Sequence, residues 1–212
     1  ELVIVPAGNG TQFFSQFYAL RGELGQRIES EQFRALSDLA SHLDDKLDER
    51  LLALARSADS IPHGKLADRT ALEQHLQGKA ALLTLFDDLY IFDASGQLLV
   101  DWPVKPGRRG LDMSGRDYIK GVRSNLKPFI SEPVLGQATK QPIVVLAAPV
   151  LDPDGKLLAI VGGVLNLYKP NLLGALASRK IGESGYVYIV SRERQIVAHP
   201  ERTRIMQPAP SP

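Results

Sequence analysis

The chain has 212 residues, 25 basic and 24 acidic, of which 44% are hydrophobic and 23% charged. That length suits one large domain or two small ones with a real core, and the balanced charge offers nucleic acid no basic face. Cysteine is absent, which excludes disulfide scaffolds, thiolate–metal sites and cysteine nucleophiles and is compatible with an oxidising compartment. No run of 18 apolar residues occurs, so nothing in these residues spans a bilayer as a helix. The opening ELVIVPAG is too short for a span and lacks the basic start of a signal peptide. It reads as the end of something longer or as an appended segment.

From about Thr11 to Ser57 the pattern predicts helix. Phe33, Leu36, Ala40, Leu43, Leu47, Leu51, Leu54 and Ala58 recur three and four residues apart, which sets one apolar stripe along a long helix. Gly22 and Gly25 suggest a bend early on, and Ser57, Asp59, Ser60 and Pro62 a stop. Such a stripe packs on its own domain, pairs with a second copy, or does each at a different end. Asp44-Asp45 on this helix reads as a solvated face. A second helix starts at Asp68, a plausible cap, and runs through Leu72, Leu76, Ala80 and Leu83 to about Phe86. Asp87-Asp88 at its end reads as two solvent-facing carboxylates.

Next come LYIFD and QLLVDWP, strands joined by the turn residues of Asp93, Ala94, Ser95 and Gly96. Residues 103–115, PVKPGRRGLDMSG, are rich in Pro and Gly and have no period. A loop this long in a compact domain is often functional because it can cover a pocket. The basic helix RDYIKGVRSN follows, then the strands FISEPVL, PIVVLAAPVL and KLLAIVGGVLNL, the last two joined by Asp152, Pro153, Asp154 and Gly155. Five antiparallel strands with helices before and between them make an α+β domain.

After Pro170 the chain predicts one helix, PNLLGALASRK, and the strand–turn–strand GYVYIVSRERQIVAHP. Two strands and a helix cannot enclose a core. Their form nevertheless repeats that of DLYIFDASGQLLVDWP, a weak internal repeat. The expected division is 1–62 for an N-terminal segment and stalk helix, 63–169 for a PAS-like lobe, and 170–212 for the start of a second, incomplete lobe.

No metal or cofactor site is expected. His42, His63, His75 and His199 are scattered without metal spacing, and no nucleotide-binding or nucleophile-elbow motif occurs. No nucleophile–base–orienter set is visible, so the chain is not expected to be an enzyme. A pure interaction module, with a dimerising helix and no small-molecule ligand, is the alternative of a different class. An empty, filled-in pocket would favour it.

Arg116 to Leu167 carries a resemblance. RDYIKGVRS, FISEPVLG and QPIVVLAAPVLDPDGKLLAIVGGVLNL, in that order, with GYVYIVSRERQIVAHP after them, resemble the double Cache domain, an extracytoplasmic sensing module of bacterial membrane receptors. The resemblance covers about residues 30–212. It implies a long helix rising from the membrane, a distal lobe that holds the ligand, and a smaller proximal lobe. It also implies flanking transmembrane helices, a homodimer in the full receptor and a cytoplasmic output. A diguanylate cyclase comes first among the outputs, with a histidine kinase or chemoreceptor next.

Carried over from that family, the distal pocket falls on Arg116, Tyr118 and Ile119 of the helix, Phe129 and Ser131 of the next strand, and Asn166. Arg123 lies seven residues after Arg116, near the same helix face, and either contributes or pairs with a surface acid; Lys140, beside a turn, contributes or is solvated; Trp102 walls the pocket or packs in the core. An arginine presents a planar fork that matches a carboxylate, and removing a carboxylate from water needs several such donors. Amino-acid-binding members hold the ligand's ammonium with acidic residues, where this chain has Ser131 and Asn166. The expected ligand is therefore a small organic anion, a mono- or dicarboxylate, with an amino-acid or amine sensor of the same fold as the alternative. Glu132 is expected to point away from the pocket if Ser131 points in.

Overall fold

A computed structural model describes residues 2–4, 16–20, 30–177, 180–181 and 185–209. Two short strands, β1 (Leu2–Ile4) and β2 (Gln16–Leu20), precede the helix α1 (Ser30–Asp59). The helix expected from Thr11 therefore begins later, and Gln16–Leu20 is a strand. Its partner lies far along the chain, where Tyr18 pairs with Tyr188, and no local period could reveal that. The expected bend at Gly22 and Gly25 lies outside the described residues.

Along α1 the stripe is buried from Leu39 and Ala40 through Leu43, Leu47, Leu51 and Leu54 to Ala58. α2 (Arg69–Gly78) is capped by Asp68, whose Oδ1 accepts from the Ala71 N–H at 3.1 Å. It ends at Gly78, and the expected continuation to Phe86 is a tighter 3-10 turn over Ala80–Thr84. Leu72 and Leu76 are its buried pair.

The central sheet then forms from β3 (Asp88–Asp93), β4 (Leu98–Trp102), β5 (Phe129–Ile130), β6 (Val134–Leu135), β7 (Pro142–Leu151) and β8 (Leu157–Asn166), with α3 (Asp117–Asn125) between β4 and β5. The strand order is β4-β3-β8-β7-β5, with β6 also paired to β7, and every pairing is antiparallel. The β7–β8 hairpin closes on Asp152, whose Oδ1 accepts from the N–H groups of Asp154 and Lys156. Gly155 takes φ +80° there, a conformation that side chains other than glycine disfavour.

FISEPVL, expected as one strand, is split into β5 and β6. Between them Ser131 Oγ accepts from the Val145 N–H at 2.9 Å, filling the gap in the ladder. Side chains alternate across β3, β7 and β8. One face (Leu89, Ile91, Val144, Leu146, Val161, Leu165) joins the cluster built with α1 and α2. The other (Tyr90, Phe92, Val145, Ala147, Ile160, Val164) meets Ile119 and Val122 of α3. On the first face Gly163 lets the Phe86 ring lie on the strand, since a Cβ there would come within 2.5 Å of the ring.

The connector from β8 leads through α4 (Leu172–Ala177) to β9 (Lys180–Ile181), β10 (Gly185–Val190) and β11 (Ile196–Ala198). These join a second sheet of order β1-β2-β10-β11, with β9 also on β10. The two strands expected after residue 170 are therefore supplemented by β9 and by two strands from before α1, which is how a sheet forms there at all.

Candidate functional site

The α3-covered face of the central sheet carries a narrow cleft with a cavity volume of about 20 Å³, room for about one water-sized molecule. Its floor is Tyr90 of β3, Leu98 of β4 and Ile143 of β7. One wall is Arg108, Leu111 and Met113 of the long loop with Arg116 and Tyr118. The opposite lip is Val134 to Thr139, the turn between β6 and β7. The loop expected to cover a pocket does so. It is held by paired bonds, Leu98 N–H to the Leu111 carbonyl at 2.9 Å and Gly110 N–H to the Leu98 carbonyl at 2.8 Å.

Arg108 dominates the electrostatics. Only 3% of the residue is exposed, yet it carries a full charge. Nη2 donates to Asp88 Oδ2 at 3.0 Å, and its carbon lies 5.3 Å from the Tyr90 ring centre. Nη1 stands 3.8 Å from Asp101 Oδ2, within ion-pair range but beyond hydrogen-bond reach, and has no hydrogen-bond partner among the described residues. Burial works against the charge, but the Asp88 bond and the nearby acids outweigh it and raise the guanidinium pKa. Asp88 and Asp101 are buried with it. Lys105 Nζ lies 3.0 Å from Asp88, and Arg109 Nε bonds Asp101 at 3.1 Å. The acids on this face are thus neutralised from the loop, and among the described residues the charged side chains lining the cleft are Arg108 and Arg116.

Arg116 is the cap residue just outside α3, with an extended backbone. Its side chain is partly exposed, and Nη2 donates to the Leu135 carbonyl of the lip at 3.0 Å. Asp117 opens the helix, accepting from the Tyr118 and Glu132 N–H groups. Tyr118 is buried, its ring 5.9 Å from that of Phe92. Burial pushes the hydroxyl pKa of Tyr118 and of Tyr90 upward, so both remain neutral donors.

Of the residues expected from sequence, Arg116 and Tyr118 line this cleft. Ile119 packs beneath it and Phe129 beside it, under Gly121 of α3, where a Cβ would meet the Phe129 ring at 2.4 Å. Ser131 is buried and occupied by the Val145 N–H. Glu132 turns the other way, as alternation requires, to Ser191 and Glu193 by the second sheet. Asn166 is buried at the sheet's end, its amide bonded to Gln141 and to the Tyr168 N–H. Trp102 packs with the helix-side cluster. Lys140 and Arg123 are exposed, the first on the far side of the lip turn and the second in the last turn of α3. Arg116 is not inside the helix, so its seven-residue spacing to Arg123 does not bring the two onto one face.

Two further expectations are corrected. Asp88 does not meet solvent, because it starts β3 beneath Arg108. Asp44 is partly buried, and burial first, then the neighbouring Asp48 and Asp45, raise its pKa to about 6. Arg108 and Tyr90 were not among the expected site residues. Their signal was indirect: acids at Asp88 and Asp101 within apolar strands need buried cations, and the following loop carries Arg108-Arg109.

A family model described as Cache domain matches residues 19–210. The methyl-accepting chemotaxis protein TlpB of Bacillus subtilis is 24% identical over 204 residues, covering 94% of this chain and 29% of TlpB. Its counterpart PctB of Pseudomonas aeruginosa is 24% identical over 173 residues, covering 79% of this chain and 26% of PctB. The chain thus spans under a third of the length of these relatives. Among solved structures, the ligand-binding domain of the Pseudomonas fluorescens chemoreceptor CtaA, in complex with L-serine, superposes with a TM-score of 0.66. It is 26% identical, over 82% of this chain and 75% of that one. The PctB ligand-binding domain with L-Gln gives 0.67 at 22% identity, over 85% and 72%, a likeness of fold. The chain belongs to the Cache domain family in its double Cache form, and is an extracytoplasmic ligand-sensing domain rather than an enzyme.

Proposed function

We propose that the cleft between Arg108, Arg116 and the 134–139 lip binds a small carboxylate, the lip moving outward to admit it. The carrying observation is the buried guanidinium of Arg108, with Nη1 lacking a hydrogen-bond partner among the described residues, on a cleft whose described lining holds two arginines and no acid. A carboxylate reaching Arg116 and the Tyr118 hydroxyl gains charge-assisted bonds in a desolvated site. An ammonium would find Asp88 and Asp101 already held by Arg108, Lys105 and Arg109, and would enter uncompensated. This favours a mono- or dicarboxylate without an amine. The residues 63–169 form the binding lobe in this reading, and copies pair through α1 in the full receptor.

A second reading, an L-amino acid, is supported by CtaA, solved with L-isoleucine and with L-serine at 26% identity. The output we propose is chemotactic rather than the cyclase that the resemblance put first, because TlpB, PctB and McpA are methyl-accepting chemotaxis proteins. Titration calorimetry with acetate, lactate and succinate beside L-serine and L-isoleucine separates the readings. Binding of an acid, lost at least tenfold in Arg116→Ala, is the expected result. Binding of the amino acids alone replaces the first reading by the second, and no binding by any of the five rejects both.

A further inference from the structure

We propose that Gln141 and Asn166 are positioning residues that lock the cleft lip to the connector entering the second sheet, so that the two move as one unit. This rests on the proposed binding cleft only for its ligand arm. The lip is a closed turn: Gly136 N–H bonds the Gln141 carbonyl and Lys140 N–H the Gly136 carbonyl, both at 2.8 Å. Lys140 takes φ +54° to close it. The Gln141 side chain leaves this turn, and its Oε1 accepts from Asn166 Nδ2.

Asn166 is the last residue of β8, and its amide is used in both senses. While Nδ2 donates to the lip, Oδ1 accepts from the Tyr168 N–H at 2.9 Å. An aspartate there would lack the donor. The Asn166 main chain continues the clasp. Its N–H donates to Asp87 Oδ2 at 2.7 Å, and its carbonyl accepts from Asn171 Nδ2 at 2.7 Å. Asp87 also holds Lys169 at 3.3 Å. Asn171 Oδ1 then accepts from the Leu173 N–H at 3.1 Å, at the start of α4, which packs on β10 and β11. The lip is tied at its other end to Arg116 through the Leu135 carbonyl. A polar chain therefore runs unbroken from the cleft's cation to the helix that carries the second sheet.

Coupling of this kind is reciprocal, which separates it from two unrelated caps at a sheet end. Hydrogen–deuterium exchange of the 212-residue chain, without ligand, tests it. Gln141 is exposed, so Gln141→Ala leaves the core intact. Exchange at the lip amides Gly136 and Lys140 and at the connector amides Tyr168 and Leu173 should rise together, each about fivefold, the equivalent of one net hydrogen bond. Gln141→Glu keeps an acceptor and should stay near wild type. Asn171→Ala, made at the other end, should quicken exchange at Lys140. Acceleration confined to the altered end in either variant overturns the proposal. With succinate or L-serine at saturation, wild type should gain protection at both segments and Gln141→Ala at the lip alone. If neither probe binds, the proposed ligand classes fail, while the ligand-free measurements still decide the coupling.

Discussion

On one face the central sheet meets α1 and α2 with hydrocarbon; on the other it meets α3 and a long loop with arginines, acids and tyrosines among the hydrocarbon. The strands are shared, and their alternation feeds both faces equally. What differs is the cover. A regular helix with an apolar stripe seals one side, whereas the loop at residues 103–115 has no stripe and supplies cations to match the acids of β3 and β4. Stability on the first face rests on burial. On the second it rests on charge compensation.

That contrast can be broken from either side. Arg108→Ala strands Asp88 and Asp101 as buried carboxylates, and denaturant unfolding should show a loss of about 3–5 kcal/mol. If the variant is as stable as wild type, the polar face is not held by compensation. On the helix face, Leu43→Ala removes a fully buried side chain and should cost about 2–5 kcal/mol in the same measurement.

Asp44 sharpens the comparison, since it is the carboxylate at the edge of the apolar stripe. Its pKa is raised from 3.8 to about 6, by burial first and by Asp48 and Asp45 after it. Between those values the folded state keeps a proton that the unfolded chain has released. Stability therefore declines as pH rises through that window and stays lower above it. Asp44→Asn should flatten the decline in urea melts and gain about 1 kcal/mol or less at pH 7, because solvent screens the charge. Arg116→Ala removes one bond to the lip and should cost about 1 kcal/mol, with its larger effect on carboxylate affinity. The smallest effect expected is at Lys140→Ala, exposed and outside the cleft lining, whose melting should match wild type within about 0.5 kcal/mol.

Periodicity carried much of the fold. The stripe through Leu43 to Ala58, the cap at Asp68 and the Asp152 to Gly155 turn were legible because each depends on residues only a few positions apart. The strand at Gln16–Leu20 was not, because its partner β10 lies about 170 residues on, and its five residues, QFYAL, are too short a run for periodicity to separate strand from helix. For the cleft, Arg116 and Tyr118 stood out through a motif. Asn166 and Ser131 came from the resemblance to the family, and a polar side chain at such a place serves a ligand or a backbone bond equally well. Side-chain direction at a strand's end decided between them: Ser131 patches the β7 ladder and Asn166 clasps the connector.

By itself the sequence determined the α+β class and the order of the central strands and helices, which follow from local spacing and turn chemistry, and it carried the family as a resemblance in the order of its motifs. Only the tertiary structure decided which charges meet. Arg108 and its acids are separated by up to 20 positions in the chain, and a loop without period carries no local record of where its side chains will land. Their pairing exists only once the loop has folded over the sheet.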